Sequence, residues 1–195
     1  MAGDTNTVLV ADNVPAVVTN LQSWLAEDYQ VETTTDGDEA LSLVEDADAA
    51  LVGCNLRTAA GAVVAAEIEH RATAQTMAIL CDAHEVDPLP AVGDSLEKPV
   101  ESAPLLKTVD RLVRRARYEE LLAECTTLAA ERGAVESRGD AESNEEYETL
   151  QRRLNEVFTE LDELVETFDG EDFRAAFATC EFGTPSQPQS ASEHP

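Results

Sequence analysis

The chain has 195 residues, and its 40 acidic and 13 basic side chains give a formal net charge of −27. Such an excess of negative charge disfavours binding to nucleic acid, whose phosphates are contacted mainly by Lys and Arg. No apolar stretch reaches the roughly 18 residues that a membrane span requires, and the start, Met-Ala-Gly-Asp, lacks the basic residues of a signal peptide. We therefore expect a cytoplasmic protein without nucleic-acid or membrane partners.

The distribution of charge indicates a particular environment. The acidic residues are spread over the whole chain, and the basic residues are 11 Arg and only 2 Lys. Self-repulsion of this size weakens a compact state, but at molar salt the Debye length falls to about 3 Å and most of it is screened. The composition is typical of a cytosolic protein from a salt-accumulating halophile. The alternative is an ordinary acidic protein that avoids polyanions.

One basic cluster interrupts the acidic pattern. Its members are Arg111, Arg114, Arg115 and Arg117. At helical spacing these guanidinium groups can pair with nearby carboxylates, namely Asp110, Glu119 and Glu120. The pattern predicts a solvated helix face with salt bridges.

The four cysteines, Cys54, Cys81, Cys125 and Cys180, have no CxxC or metal-ligand spacing. We expect structural or indifferent thiols and no metal centre. A redox-sensing role for Cys54 or Cys81 is the alternative, because a neighbouring cation such as Lys98 lowers the pKa of a thiol.

Residues 7–117 alternate between strand-like and helix-like patterns. The predicted strands are 7–11, 29–33, 49–52, 76–80 and 95–97. The first predicted helix follows Asn13, which would cap it, and has Pro15 in its first turn. A turn at residues 34–38 caps a short second helix that runs through Val44, and two further helices are predicted over 61–71 and 101–117. Residues 82–93 contain two prolines and leave little room for a further helix. The alternation predicts an α/β fold with a doubly wound, five-stranded parallel sheet in the order 2-1-3-4-5.

Polar residues follow three of these apolar strands. Asp12 and Asn13 follow the first, Gly53 closes the third, and Lys98-Pro99 follows the fifth. Ligand chemistry in open parallel sheets is placed at the carboxyl ends of the strands. The sequence therefore predicts one site at this edge.

The strand-end motifs, Val8 to Pro15, Leu51 to Leu56 and Lys98-Pro99, resemble those of receiver domains of two-component response regulators, which have a flavodoxin-like fold. The resemblance covers about residues 6–117. It places the residues of a vestigial phosphorylation site at Asp12, Asn13, Gly53, Cys81, Ser95 and Lys98. Gly53 stands where the family has its phospho-accepting aspartate, and Asn13 stands where it has the main Mg²⁺ carboxylate. Cys81 takes the position of a hydroxyl residue and Ser95 that of an aromatic switch; Lys98 alone matches outright.

These departures imply a site that does not accept a phosphoryl group. We expect no catalytic residue and no cofactor, at most weak Mg²⁺ binding at Asp12 and Asn13, and a Lys98 that pairs with Asp12. Asp48 cannot substitute, because it begins its strand some 16 Å from the site at about 3.3 Å per residue. Asp82 could reach the rim. The resemblance also implies a cis Lys98–Pro99 peptide bond.

Residues 118–168 have a helical pattern. Helix is predicted over 118–132, either separate from or continuous with the preceding helix, and over 145–168, with a polar break at 133–144. The second helix has a heptad seam at Tyr147, Leu150, Leu154, Val157, Leu161, Leu164 and Phe168. The segment from Arg111 to Leu164 resembles the HalX domain, which follows receivers in haloarchaeal regulators and has no recognised catalytic site. We expect a helical hairpin or a dimer of these helices.

The seam also predicts a partner surface. We expect it to pack on Leu121, Leu122, Cys125 and Leu128 of the first helix. The seam is longer than the first helix can cover, so its far end, at Leu161, Leu164 and Phe168, is expected to be open. This end is expected to bind a second copy or a helical partner. The predicted domains are 1–117 and 118–168, followed at 169–195 by a short amphipathic piece and a disordered tail.

Three functions remain open from the sequence. The first is a pseudo-receiver that acts in two-component phosphorelay signalling by binding proteins, such as a histidine kinase or another signalling protein. The second is a phospho-accepting regulator that uses an unorthodox residue. The third is an acidic coiled-coil adaptor or DNA mimic.

Overall fold

A computed structural model of the chain describes residues 6–70, 76–82, 94–138, 145–170 and 173. The strands are β1 (Thr7–Ala11), β2 (Gln30–Thr34), β3 (Ala49–Gly53), β4 (Met77–Asp82) and β5 (Asp94–Lys98). The helices in the described ranges are α1 (Pro15–Leu25), α2 (Gly37–Leu43), α3 (Val64–His70), α4 (Ser102–Ser137) and α5 (Glu145–Val165). A 3-10 turn, Val44–Asp46, follows α2.

The strands form one sheet in the order β2-β1-β3-β4-β5, and all four pairings are parallel. The predicted α/β fold and strand order are confirmed. Neighbouring strand ends are in register, since Ala11 lies opposite Thr34 and Val52, and Asp82 lies opposite Lys98. The residues that follow the strands therefore meet at one edge.

Apolar side chains cover both faces of the sheet. Alternate residues of a strand point to opposite faces, and in β1 Val8 and Val10 belong to one core cluster while Leu9 and Ala11 belong to the other. The first cluster is completed by α1 and α4, through residues such as Leu21 and Leu105. The second is completed by α2 and α3. Two buried layers therefore hold the sheet edge in place.

The start of α1 differs from the prediction. Its N-cap is Val14, and no side chain caps it, so the predicted cap at Asn13 is wrong. Pro15 does lie in the first turn, where its missing N–H costs no hydrogen bond. The carboxylate that reaches this turn is Asp12, whose Oδ1 accepts a hydrogen bond from the Val14 N–H at 2.9 Å.

Helix α4 is one continuous helix of 36 residues, about 54 Å long at 1.5 Å per residue. The predicted boundary at residue 117 falls inside it, so the sheet and the hairpin share a helix. The polar break expected from residue 133 begins later, because α4 continues to Ser137; residues 139–144 lie outside the described part. Helix α5 packs against the second half of α4 and forms the predicted hairpin.

The hairpin core corrects the predicted seam at two places. Leu122, expected in the core, is 41% exposed, and Leu161, expected at an open end, is only 8% exposed. Phe168 is half-buried, and its ring lies edge-on to Tyr118 with the centroids 5.3 Å apart. The reason is the register of the two antiparallel helices, which places Leu161 and Phe168 beside Leu121 and Tyr118, so that the first turn of the predicted helix already covers this end.

Several predictions fall outside the described residues. They concern the absence of a helix between residues 82 and 93, most of the amphipathic piece 173–177, and the tail from residue 181 onward. Within the described ranges, none of the helices combines the length and the apolar character needed to cross a membrane.

Candidate functional site

The carboxyl edge of the sheet brings together residues that are far apart in sequence. Asp12 follows β1, Gly53 ends β3, and Lys98 ends β5. The strands that carry them are neighbours or near neighbours in the parallel sheet, so their ends converge as predicted. The Lys98–Pro99 peptide bond is cis, also as predicted.

Asp12 and Lys98 form a buried ion pair. Lys98 Nζ lies 2.5 Å from Asp12 Oδ2, and the exposed fractions of the two side chains are 9% and 0%. The other carboxylate oxygen of Asp12 accepts the hydrogen bond from Val14 N–H. Both oxygens of Asp12 are therefore engaged. Removing one partner of such a pair would leave an uncompensated buried charge.

Gly53 provides the space that this pair needs. A Cβ added at Gly53 would overlap Asp12 Oδ2 and lie 2.9 Å from Asp12 Cγ. A contact of that kind requires a shift, here of a short side chain that is held at both oxygens. Gly53 therefore does more than lack a carboxylate, since its missing side chain is where the Asp12 carboxylate lies.

The other residues of the predicted site do not join this pair. The Asn13 side chain is exposed on the turn after Asp12, and Ser95 is exposed on β5. Cys81 is buried in the core cluster shared with α2 and α3. Among the described residues, no group of three or more His, Cys, Asp or Glu side chains could hold a metal ion.

The two carboxylates considered as substitutes lie apart from the pair. Asp48 is at the opposite edge, where its Oδ2 accepts a hydrogen bond from the Thr7 N–H at 2.7 Å. Asp82 ends β4, is exposed, and lies opposite Lys98 in the β4–β5 register.

A second buried ionic cluster was missed from the sequence. Asp94, the first residue of β5, binds Arg111 Nη2 at 2.7 Å through Oδ1 and Arg115 Nη1 at 2.9 Å through Oδ2. Arg111 and Arg115 are buried, so their predicted place on a solvated face is wrong. The i, i+4 spacing of the two arginines aims both at one partner, but that partner lies 17 and 21 residues earlier in the chain.

The remaining members of the basic cluster follow the prediction. Arg114 pairs with Asp110, and Arg117 pairs with Glu120 at 2.6 Å. Arg117 also reaches Glu160 on α5 at 2.7 Å. Burial raises the pKa of the Glu119 carboxyl, and the positive charge of Arg115 lowers it in part. Ion pairs thus connect helix α4 both to β5 and to α5.

Comparison with family models identifies the helical part of the chain. Residues 114–177 match the family model of the HalX domain. No curated protein matches the chain. The match begins inside α4, and its first residues include Arg115, which binds Asp94 of the sheet.

Solved structures match the sheet part. One is the signal receiver domain of an HD domain-containing protein from Pseudomonas fluorescens Pf-5, with 18% identity and a TM-score of 0.53, covering 62% of this chain and 95% of that one. Another is NtrX from Brucella abortus in complex with ADP, with 15% identity and a TM-score of 0.51, covering 62% of this chain and 30% of that one. The chain therefore combines a receiver-type fold with a segment that matches the HalX domain.

Proposed function

We propose that this chain is a pseudo-receiver in two-component signalling, one that does not accept a phosphoryl group and acts by binding proteins. The observation that supports this most directly is the geometry at Gly53. The residue in the acceptor position has no side chain, and the space beside it is filled by the Asp12 carboxylate paired with Lys98.

Phosphoryl transfer to a receiver needs a carboxylate oxygen that can attack in line, and cations that neutralise the developing charge. Gly53 offers no oxygen. Asp12 has an oxygen in the same region, but it is fully buried, and both of its oxygens are engaged by Lys98 and the Val14 N–H. Lys98, which would neutralise the phosphoryl group, already neutralises Asp12.

The metal requirement is also poorly met. Mg²⁺ prefers charged oxygen ligands and keeps several waters. Asn13 would supply a neutral oxygen, and Asp12 would first have to leave Lys98. We expect neither tight Mg²⁺ binding nor tight binding of beryllofluoride.

The test is phosphorylation of the full chain by acetyl phosphate with Mg²⁺, followed by intact mass measurement, with a phospho-accepting receiver treated in parallel. We expect no added phosphoryl group on this chain and full reaction of the control. A phosphoryl adduct on the folded chain would refute the proposal.

One observation favours a second candidate, a regulator with an unorthodox acceptor. Asp82 is exposed and lies opposite Lys98 in the strand register. If an adduct forms and an Asp82→Asn variant abolishes it, Asp82 is the acceptor. If the adduct survives in that variant, the acceptor lies elsewhere in the chain.

The binding role rests on the hairpin and on the charge. A partner that is itself a signalling protein, such as a histidine kinase, or a second copy of the chain fits this proposal better than nucleic acid does. Capture from lysate in molar salt with the full chain, compared with a chain that carries a substituted hairpin surface, would show whether a protein partner depends on that surface.

A further inference from the structure

The two sides of the α4–α5 hairpin differ in chemistry. On one side Arg153 Nε binds Glu124 Oε1 at 2.6 Å, and Arg117 Nη2 binds Glu160 Oε2 at 2.7 Å. We call this side the charged flank and define it by those four residues. Each of them comes immediately before a core residue of the hairpin: Tyr118, Cys125, Leu154 and Leu161.

The other side is defined by residues that come immediately after core residues. In an α-helix, successive residues are about 100° apart, so the residues before and after a core residue point to opposite sides. Because the preceding residues of both helices meet across the charged flank, the following residues lie together on the other side. Its apolar members, which we call the apolar flank, are Leu122 and Ala129 of α4 and Phe158 and Val165 of α5.

The apolar flank is open. Leu122 is 41% exposed and Phe158 is 50% exposed. Ala129 is also exposed, and Val165 is half-buried. Exposed apolar side chains that form a contiguous patch mark interaction sites, whereas single ones need no explanation. Leu122 and Phe158 are two large apolar side chains that face the same side from two packed helices.

The border of the apolar flank is acidic. Glu119 and Asp162, which follow the core residues Tyr118 and Leu161, lie on the same side as Leu122 and Phe158. Neither residues 118–131 nor residues 154–168 contain a Lys or an Arg. Three arginines bound these stretches: Arg117, Arg132 and Arg153. Arg117 and Arg153 are turned to the charged flank by their ion pairs, and Arg132 contacts Gln151 and Glu136. A partner would therefore meet mainly apolar and negative groups here; the cation nearest to Glu119, Arg115, is paired with Asp94.

We propose that the apolar flank binds an amphipathic helix of another protein whose apolar stripe is bordered by Lys or Arg. This rests on the proposed function as a binding protein and names the chemistry of its partner. The complementarity decides against a second copy, which would bring the same acidic border into contact with itself. A cationic border instead places opposite charges beside Glu119 and Asp162, while the apolar stripe covers Leu122 and Phe158.

The probe is a labelled synthetic helix with Leu at one helical stripe and Lys on its borders, titrated with the full chain and followed by fluorescence anisotropy. A peptide of the same composition in scrambled order is the control. Phe158→Ser should weaken binding about tenfold or more, as loss of a central aromatic contact does. Trp24→Ser, which changes an exposed aromatic on α1, should leave binding unchanged.

A second pair of variants tests the acidic border of the apolar flank. Asp162→Asn should weaken binding and reduce its salt dependence. Glu131→Gln should do neither, because Glu131 comes nine residues after Leu122 and therefore lies about 180° around α4 from it. Titration in about 1 M KCl, where the Debye length is about 3 Å, should retain the part of the affinity that comes from the apolar stripe. Circular dichroism of each variant confirms that the hairpin is folded, and Leu122→Ser provides a second apolar variant.

Three outcomes would overturn the proposal. Equal binding of the scrambled peptide would mean that binding depends only on attraction between the basic peptide and the negative net charge of the chain, and not on the apolar stripe. Unchanged binding by both Phe158→Ser and Leu122→Ser would place the peptide elsewhere. Concentration-dependent dimerisation that Phe158→Ser removes would identify a second copy as the occupant. None of these outcomes depends on phosphorylation. A phosphoryl adduct would therefore refute the pseudo-receiver function without showing whether the apolar flank binds a helix.

Discussion

The carboxyl edge of the sheet and the helical hairpin use ionic groups in opposite ways. At the edge, Asp12 and Lys98 are buried, paired and enclosed by the fold. In the hairpin, the cross-helix ion pairs lie at the surface, and it is large apolar side chains, Leu122 and Phe158, that are exposed. This contrast underlies both proposals: the buried ion pair at the edge is proposed to be structural, and the exposed apolar side chains of the hairpin are proposed to bind a partner.

The largest expected effect is at the closed site. Replacing Lys98 by Met leaves the Asp12 carboxylate buried without its partner, and breaking a buried ion pair in this way costs about 3–5 kcal/mol. The unfolding free energy from a denaturant titration in constant salt measures it. The double variant Asp12→Asn with Lys98→Met removes both charges and should recover a large part of the loss. A single variant as stable as the parent chain would mean that the pair does not hold the edge.

The next effect separates the core of the hairpin from its apolar flank. Leu161 is buried between the helices, so Leu161→Ala should cost about 2–4 kcal/mol through lost burial and a residual cavity. Phe158→Ala, at an exposed position, should change stability by no more than about 0.5 kcal/mol. Equal losses in thermal or denaturant unfolding would contradict this distinction between the two residues.

A smaller effect tests the space at Gly53. Gly53→Ala forces a Cβ into the position of Asp12 Oδ2, and overpacking of this kind costs about 1–3 kcal/mol. Gly133→Ala is the matched control, because nothing lies within 4 Å of a Cβ there and Ala favours a helix interior over Gly by about 0.5–1 kcal/mol. The two substitutions should therefore shift the melting temperature in opposite directions. A stabilising Gly53→Ala would show that the space is empty.

The smallest effect concerns the junction between the two regions. Burial raises the pKa of Glu119 above its ordinary value of 4.5. A carboxyl whose pKa is raised on folding favours the folded state while it is protonated, and this contribution is lost as the pH rises through the folded-state pKa. Glu119→Gln should therefore raise the melting temperature at neutral pH, and the gain should vanish in acid. A gain that is the same at both pH values would exclude this cause.

The sequence predicts correctly the features that arise from its repeating apolar pattern. Apolar strands alternating with amphipathic helices predicted the sheet order, and the strand ends placed Asp12, Gly53 and Lys98 at one edge. The pairing of Lys98 with Asp12 was also predicted. The overlap between a Cβ at Gly53 and the Asp12 carboxylate could not be predicted, because it depends on side-chain positions to within an ångström.

Two errors concern tertiary contacts of α4. The predicted hairpin leaves Leu161 uncovered, whereas the register of α5 against α4 places it beside Tyr118 and Leu121. The same helix brings Arg111 and Arg115 against Asp94 of β5, a contact between distant segments that local spacing cannot reveal. Local periodicity gives the face of a helix, whereas tertiary contacts decide which face is buried.

The shared helix also fixes the angular phase between the sheet and the hairpin. Because α4 passes without interruption from the contacts of Asp94 to those of Tyr118, the direction in which the hairpin faces is set by residue count alone. One residue inserted after Arg117 would turn the hairpin by about 100° and advance it by about 1.5 Å, leaving each part internally unchanged. The orientation of the apolar flank relative to the sheet can therefore change only in steps of about 100°, one for each residue inserted or deleted in α4.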